Sequence, residues 1–254
     1  MKGHLVPEGD AVRRAGRSID RALGQRVLTH TDFRVPQLAT VDLAGQPHRG
    51  TRSRGKHLLT RIGDFTLHTH LKMEGTWRII PAGARWPRPA HLARVLLTAG
   101  EVSAVGFQLG LVELWPTTEE SHRLAYLGPD LLGHDWDLEE AIRRLSADPR
   151  RPLFDALRDQ RNLAGIGTIY AAETAFLSGI HPFAPLEAVR DLPRMLERTR
   201  QMLDQEWSRS RRLWVYGRAR QPCRRCGTFV RVVKFGPPGR ERPAYWCPSC
   251  QPES

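Results

Sequence analysis

The sequence predicts an α+β multidomain protein: an N-terminal helix with a β-sandwich, a helical domain, and a cysteine-rich module at the C-terminus. Three observations predict it. A single amphipathic helical pattern is followed by short apolar stretches of the strand type as far as residue 116. Helical periodicity then dominates residues 137–215, and all four cysteines lie in the last 32 residues. We therefore expect domains at 7–116, 137–215 and 216–254, with a linker at 117–136.

The first helix is predicted from Asp10 to Leu23. Asp10 is a residue type that caps helix N-termini, and Gly24 is a residue type that ends helices. One apolar stripe runs between them, formed by Val12, Ala15, Ile19, Ala22 and Leu23. This spacing is typical of an amphipathic helix.

Strands and further helices follow in that order. The predicted strands are RVLTHTDFRV (26–35), HLLTRI (57–62), FTLHTHLKM (65–73), RVLLTAG (94–100) and VSAVGFQLGLVELW (102–115). The predicted helices are LEEAIRRL (138–145), FDALRDQ (154–160), TIYAAETAFLSG (168–179) and LPRMLERTRQMLDQEW (192–207). Turn residues between the apolar stretches set the limits of each element.

The cysteines form two C-x-x-C pairs, Cys223/Cys226 and Cys247/Cys250, with 20 residues between the pairs. This spacing supplies four thiolates for one tetrahedral Zn²⁺. Two disulfides are the alternative, but no export signal is evident, and disulfides are rare in reducing compartments. We expect a structural zinc finger, because four thiolates leave no open position for water.

The chain is strongly basic, with 39 Lys and Arg against 27 Asp and Glu and a net charge of +12. Such a balance indicates a polyanionic partner, above all nucleic acid. The alternative is a solvated surface in a GC-rich genome, since only four of the basic residues are lysines. No apolar run approaches the roughly 18 residues that a membrane span needs. We therefore expect no membrane contact and a cytoplasmic location.

Four stretches carry a family resemblance: P-E-G-D (7–10) before the first helix, R-G-K-H-L-L (54–59) entering a strand, D-Q-R-N-L-A-G-I-G-T-I-Y-A-A-E (159–173) at a Gly-rich turn, and V-Y-G-R (215–218) before the cysteines. Their types and order resemble those of the formamidopyrimidine-DNA glycosylase/endonuclease VIII family. The resemblance covers nearly the whole chain. It implies a β-sandwich catalytic domain, a helix–two-turn–helix DNA-binding domain and a zinc finger.

The resemblance also implies a DNA glycosylase of base excision repair that is an AP lyase as well. In this family the N-terminal proline is the nucleophile, which corresponds to Pro7. A secondary amine can attack C1′ of a damaged nucleoside, displace the base and leave an iminium. Glu8 is then placed to move protons at the sugar, and Lys56 matches the family's strand lysine, which assists proton transfer. The alternatives without a catalytic role are a helix-terminal carboxylate for Glu8 and a solvated surface lysine for Lys56.

Pro7 can act in this way only when no residue precedes it, because a proline inside a chain is an amide without a nucleophilic nitrogen. We therefore expect the native protein to start at Val6 from a GTG codon that is read as methionine. Removal of that methionine would expose Pro7. Residues Met1 to Val6 would then be an over-extended start.

The resemblance implies further contacts with damaged double-stranded DNA, made by a bacterial monomer at the nucleoid. Gly167 and Thr168 lie at the turn that binds a phosphate in the family, where Asn usually stands in place of Thr168. Arg242 matches the finger arginine that grips phosphates beside the lesion and completes the catalytic set. Lys72 and Met73 lie where the family fills the gap left by an everted base. Each position also has an ordinary alternative: a connecting turn, a surface arginine, or a buried methionine.

Departures from the formamidopyrimidine branch favour oxidised pyrimidines as substrates. Its R-R-F-G segment is replaced by A-V-G-F-Q-L-G (104–110), and Gln201 to Leu213 leaves little room for its long base-binding loop. Tyr126 is a contrary sign, since endonuclease VIII often has arginine there. His68 and His70 are interpreted as packing residues. A non-catalytic DNA-binding protein is the main alternative function, and a zinc-dependent hydrolase is disfavoured because all four thiolates are committed to the metal.

Overall fold

The computed structural model describes residues 6–205, 212–239 and 241–253. Two segments named in the sequence analysis lie outside the described residues. One is Met1 to Leu5, part of the predicted over-extended start. The other is 206–211, which includes the end of the last predicted helix and part of the short segment before V-Y-G-R. The chain divides into two units. The first holds the residues up to Pro7 and Ala11–Tyr126, and the second holds Glu8–Asp10 and Leu127–Ser254. The finer division into four segments stays a prediction.

The first unit is a β-sandwich, as predicted. Its two antiparallel sheets have the strand orders β1-β6-β7-β5 and β2-β3-β4-β8. The strands are β1 (His30–Phe33), β2 (His48–Arg54), β3 (His57–Ile62), β4 (Phe65–His70), β5 (Thr76–Pro81), β6 (Ala93–Ala99), β7 (Val102–Phe107) and β8 (Leu111–Pro116). Apolar residues of both sheets form one core with the stripe of helix α1 (Gly9–Leu23).

Two strands were missed from the sequence, β2 and β5. Each is an edge strand of its sheet, with one hydrogen-bonded neighbour. The sequence of β2, HRGTRSR, has one buried residue, His48, so its alternation of apolar and polar residues is lost. Strand pairing with β3 specifies this segment more than its own composition does.

The second unit contains helices α3 (Leu138–Ser146), α4 (Leu153–Arg158), α5 (Thr168–Ser178) and α6 (Leu192–Asp204), followed by the hairpin of β9 (Arg231–Phe235) and β10 (Arg242–Trp246). Helix α5 lies in the centre of this unit, and its residues from Ile169 to Phe176 are all buried. It ends at Gly179, whose φ of 70° is a left-handed conformation that glycine adopts without strain. No helix in the described ranges is both long and apolar enough to span a bilayer.

The outer face of the β2-β3-β4-β8 sheet carries a buried carboxylate, Glu120, at the start of the short helix α2 (Glu120–Arg123). Arg52 donates to it at 2.8 Å, Arg61 donates twice at 2.8 and 2.7 Å, and the Thr66 hydroxyl also donates. Although burial opposes it, these hydrogen bonds, those from Arg61 first, lower the pKa of Glu120 to about 2. Glu120 thus fastens the segment after β8 onto the sheet.

We expect Glu120→Gln to lower the free energy of unfolding by about 2 kcal/mol at pH 7, because charge-assisted hydrogen bonds to a buried acceptor are lost while both arginines remain partly solvated. Urea unfolding curves measure this. The matched control is Glu119→Gln, since Glu119 pairs with Arg123 and both side chains are more than two-fifths exposed. That change should cost less than about 0.5 kcal/mol. Equal losses in the two variants would contradict the role given to Glu120.

Candidate active site and metal centre

Glu8 is held by the beginning of helix α5. Its carboxylate accepts hydrogen bonds from the backbone N–H groups of Gly167 at 2.7 Å, Ile169 at 2.7 Å and Tyr170 at 3.3 Å. The residue is only 2% exposed. The first N–H groups of a helix have no partner within it and carry the positive end of the helix dipole, so a carboxylate there is well stabilised.

This arrangement reduces the number of backbone N–H groups at this turn that could bind the predicted phosphate. The family resemblance implies a DNA phosphate at this turn, where backbone N–H groups would be its donors. In the structure those of Gly167, Ile169 and Tyr170 donate to Glu8 instead. Gly167 is buried and Thr168 is half-buried, so Thr168 is the residue of the predicted pair with an accessible side chain.

A close glycine contact fixes Glu8 to this turn. The Gly9 N–H donates to the Gly165 carbonyl at 2.9 Å. A Cβ at Gly9 would come within 3.0 Å of Gly165 Cα, and Gly165 has a φ of 102°. The P-E-G and A-G-I-G stretches therefore need glycine at positions 9 and 165 because two backbones touch there.

Gln160 is a structural residue of this turn that the sequence analysis did not single out, although it lies within the quoted D-Q-R-N stretch. Its amide Nε2 donates to the Ile166 carbonyl at 2.8 Å, and its Oε1 accepts from the Gly165 N–H at 3.1 Å. One side chain thus braces both sides of the turn. A glutamine just before a Gly-rich turn was the available signal.

Glu173 holds the V-Y-G-R stretch in place by hydrogen bonds to its backbone. This buried carboxylate of α5 accepts the N–H groups of Trp214, Val215 and Tyr216 at 2.8 to 3.0 Å. The chain that enters the cysteine module is thereby attached to the central helix of its unit. The functional analysis of the sequence overlooked Glu173 because nothing in its spacing separates it from a surface residue.

Pro7 lies in the first unit, half-buried, beside a cavity of about 290 Å³. The cavity is also lined by Arg14 of α1, Leu71, Trp77 and the exposed Arg78. Two arginines therefore line the space next to the predicted nucleophile. That environment suits an anionic group of a ligand.

The predicted lysines lie at two turns of the same unit. Lys56 is half-buried in the turn between β2 and β3, after Gly55 with a φ of 57°. Lys72 is exposed and has a φ of 51°, which is uncommon for a residue with a side chain. Met73 follows it and is 58% exposed, so the ordinary alternative of a buried methionine does not apply.

Arg242 is exposed at the first position of β10, in the second unit. Its Nη1 donates to the Glu241 carbonyl at 2.9 Å. The half-buried Arg158 is nearby, and its pKa is lowered by burial, with a further contribution from the positive charge of Arg242. The structure therefore puts Arg242 in the same unit as Glu8, Gly167 and Thr168, while Pro7, Lys56, Lys72 and Met73 belong to the other unit.

The four cysteines converge on one point. The Sγ atoms of Cys226 and Cys247 are 3.4 Å apart, those of Cys223 and Cys250 are 4.0 Å apart, and all four lie within 4.8 Å of one another. Tetrahedral coordination with metal–sulfur bonds of about 2.3 Å requires sulfur–sulfur distances of about 3.8 Å. Hydrogen bonds from Thr228 lower the pKa of the Cys226 thiol, which favours the thiolate that a metal binds, whereas burial raises the pKa of the Cys247 and Cys250 thiols. The group can hold one metal ion.

The three histidines on the outer face of the second sheet do more than pack. His57 Nδ1 lies 2.8 Å from His68 Nε2, and His68 Nδ1 lies 3.1 Å from Glu113 Oε2. The Tyr126 hydroxyl lies 3.1 Å from His57 Nε2. Among the described residues, the cysteine group is the one set of His, Cys, Asp or Glu ligand atoms close enough for a metal. His57 and His68 belong to a hydrogen-bonded chain, and His70 Nδ1 accepts from the Lys72 N–H at 2.9 Å.

Their surroundings oppose protonation. Burial, followed by the charges of His68, Lys72 and Lys56, lowers the pKa of His57 to about 4. Burial, followed by His57 and the same two lysines, lowers the pKa of His70 to about 3. Both imidazoles are therefore neutral at pH 7 and remain so at pH 5.

We expect the free energy of unfolding to fall as the pH drops from 7 to 5. Below about 6.5 the unfolded chain binds protons at His57 and His70 that the folded chain does not bind, which costs stability at up to about 1.4 kcal/mol per pH unit for each histidine. Urea unfolding at several pH values measures the slope. His70→Asn should flatten it, and the same change at the exposed His91 should not. An unaltered slope in His70→Asn would refute this explanation.

Three comparisons identify the class of protein. A sequence model of the formamidopyrimidine-DNA glycosylase N-terminal domain matches residues 6–108. A probable endonuclease 8 2 of Streptomyces coelicolor is 48% identical, over 97% of this chain and 94% of the relative. The chain belongs to the formamidopyrimidine-DNA glycosylase/endonuclease VIII family.

A further relative and a solved structure agree with this family. The DNA-(apurinic or apyrimidinic site) lyase Nei2 of Mycolicibacterium smegmatis is 44% identical, over 98% of this chain and all of the relative. A solved complex of the Lactococcus lactis Fpg with DNA that contains an abasic site shares the fold, with a TM-score of 0.82 over 97% of this chain and all of that one, at 23% identity.

Proposed function

We propose that this chain is a DNA glycosylase and AP lyase of base excision repair that uses the Pro7 amine as its nucleophile. The observation that carries the proposal is the buried carboxylate of Glu8, the residue directly after Pro7. Three backbone N–H groups hold this carboxylate in place. A relative that is 44% identical is a DNA-(apurinic or apyrimidinic site) lyase. The family match begins at residue 6, next to the proline.

The chemistry begins at C1′ of the damaged nucleoside. The neutral Pro7 nitrogen attacks C1′, the bond from C1′ to the base breaks, and the base leaves with a proton. Ring opening yields an iminium between Pro7 and C1′. Loss of a proton from C2′ then allows the C3′–O bond to break, so that the 3′-phosphate leaves by β-elimination. A second elimination can release the 5′-phosphate.

Glu8 is suited to moving protons at the sugar. A carboxylate accepts hydrogen bonds and protons at its oxygens, and the Glu8 carboxylate follows the proposed nucleophile directly in sequence. Because the backbone of α5 holds the carboxylate, its position needs no rearrangement during the reaction. Lys56, at the β2–β3 turn, is proposed to assist proton transfer and to contact a phosphate.

DNA contacts are proposed at Thr168, Arg242, Lys72 and Met73. The net charge of +12 favours a polyanion, and the exposed Met73 can fill the gap left by an everted base. We propose damaged double-stranded DNA as the substrate, with oxidised pyrimidines as the excised bases, and a monomer that acts in the cytoplasm at the nucleoid. The missing arginines in A-V-G-F-Q-L-G support the pyrimidine preference.

We propose that Cys223, Cys226, Cys247 and Cys250 hold one structural Zn²⁺. The all-thiolate ligand set and its distances suit zinc, and four protein ligands leave no position for a reacting water. The metal would fix the fold of the module that presents Arg242.

We expect a protein that starts at Pro7 to form a covalent adduct when borohydride is added in the presence of duplex DNA with an abasic site. Borohydride reduces the iminium to a stable amine. The matched control is the 254-residue form, in which Pro7 is an amide and trapping should fall to a small fraction. Gel shift and peptide mapping measure the adduct. Equal trapping by both forms, or an adduct mapped to Lys56, would show that Pro7 is not the nucleophile. Absence of trapping in both forms would favour the alternative that this is a non-catalytic DNA-binding protein.

Glu8→Gln should separate the two activities. Excision of an oxidised base should drop by at least about 100-fold, because the proton transfers that accompany departure of the base lose their carboxylate. Cleavage at a preformed abasic site should fall much less, since no base has to leave. Parallel assays on both substrates test this, and an equal loss on the two would argue against the assigned role.

Metal analysis should find one zinc per chain. Cys250→Ser should lose the metal and weaken DNA binding, because a tetrahedral site with three thiolates no longer fixes the module. Ser249→Ala, at an exposed position next to the ligand, is the control. A metal-free protein with full DNA affinity would refute the structural role of zinc.

A further inference from the structure

Strand β9 of the cysteine module has one free edge. It pairs with β10 alone, so its other side is open in the described part of the chain. Just before β9 that side is occupied, because the Val230 N–H donates to the Gln221 carbonyl at 3.0 Å and the Arg220 N–H donates to the Val230 carbonyl at 2.9 Å. No described segment continues this pairing beyond Val230.

The backbone groups on this edge can be assigned to two residues. Alternate residues of a strand direct their N–H and C=O groups to opposite edges. Val230 is bonded on the side away from β10, so Val232 and Lys234 direct their backbone groups to the same side. The partner of Lys234 across the hairpin is Pro243, which has no N–H to donate, in agreement with this assignment. The edge therefore offers the N–H and C=O groups of both residues to a further strand.

The side chains around this edge are apolar for a surface strand. Phe229 is 65% exposed, Val232 is 43% exposed and Val233 is 41% exposed. Phe229 and Val232 also line a cavity of about 740 Å³. An edge strand that exposes both backbone groups and apolar side chains is a template for pairing with another chain.

The charges at the edge favour an acidic occupant. Arg220 and Arg231 line the same cavity, which has no acidic residue in its described lining, and Lys234 lies further along β9. All three side chains are exposed. A second copy paired along this edge would bring like charges together, in a chain whose net charge is already +12. An acidic strand would be attracted by the same charges.

We propose that the free edge of β9 binds an extended peptide segment of a partner protein that is rich in acidic and apolar residues. The segment adds a third strand to the hairpin. Its backbone pairs with Val232 and Lys234, its apolar side chains cover Phe229 and Val232, and its carboxylates pair with Arg220 and Arg231.

This site is separate from the proposed DNA contact of the module. Arg242 pairs with Phe235 at one end of β9, and Arg231 stands at the other end, four residues or about 13 Å away. The proposal does not rest on the lyase function, because none of its residues takes part in the chemistry at Pro7.

The test uses the full 254-residue protein and a fluorescein-labelled peptide, E-V-V-E-E-V-V-E, which as a strand carries acidic and apolar residues on both faces. We expect saturable binding by fluorescence anisotropy. Two further peptides carry N-methyl groups on alternate amides, one set for each edge of the peptide. The version whose methyl groups face β9 should bind at least about tenfold more weakly, because its backbone cannot pair with the strand.

A matched pair of variants tests the same contact from the protein side. Val232→Pro removes one N–H from the free edge and none of the bonds to β10, so it should weaken peptide binding by at least about tenfold. Val232→Ile keeps the N–H and the apolar side chain, and its binding should change by less than about twofold. Should Val232→Pro not fold, as judged by circular dichroism, the N-methylated peptides decide the question on the unsubstituted protein.

Each other occupant of the edge has its own signature. Absence of peptide binding, or equal binding of all three peptides, would overturn the proposal. A dimer of the unsubstituted protein that Val232→Pro dissociates, measured by light scattering, would assign the edge to a second copy. Equal losses of affinity for the peptide and for undamaged duplex DNA in Val232→Pro would assign it to nucleic acid. Either of the last two results would also overturn the proposal, and none of them bears on trapping at Pro7.

Discussion

The arrangement of the second unit depends on one interaction: a buried carboxylate, Glu8, at the positive end of helix α5. It accepts three backbone N–H groups more than 150 residues away in sequence and is almost completely shielded from water. A buried charge is costly unless it is hydrogen-bonded. Here the carboxylate supplies acceptors for the unpaired N–H groups at the start of α5, and those N–H groups supply the donors that the carboxylate needs. The glycine contact and the Gln160 side chain keep the turn in the shape that makes this possible. The residue attached to Glu8 is Pro7, so the same interaction bears on the proposed chemistry.

The features that could be predicted from the sequence are those whose pattern lies within one short segment. The four cysteines are visible because metal ligation needs a fixed spacing, and helix α1 is visible because its apolar stripe repeats regularly. Its start was placed one residue late, at Asp10 in place of Gly9, because Asp10 lies in the first turn and the cap was assigned by residue type. Strands β2 and β5 were missed because each buries only one residue, which is too little to show alternation.

The sequence analysis interpreted His68 as a packing residue, and its ring does pack on Trp115, but its hydrogen bonds to partners on other strands were not foreseen. His68 meets Glu113 and His57 only through the register of β4 with β8 and with β3, which no local pattern reveals. Glu120 illustrates the same limit: its donors lie on β2, β3 and β4, about 60 residues earlier. This sheet therefore has an apolar face in the core and an outer face organised by charge and hydrogen bonding.

The burial of α5 has a consequence for local opening of this unit. Helix ends normally fray, and their first amides exchange hydrogen with water fastest. In α5 the first turn is buried from Ile169 onward, and the amides of Ile169 and Tyr170 are bonded to Glu8. Exchange at these amides then requires release of the carboxylate, so their rates report the opening of the Glu8 contact in the free protein, without substrate or metal as a probe.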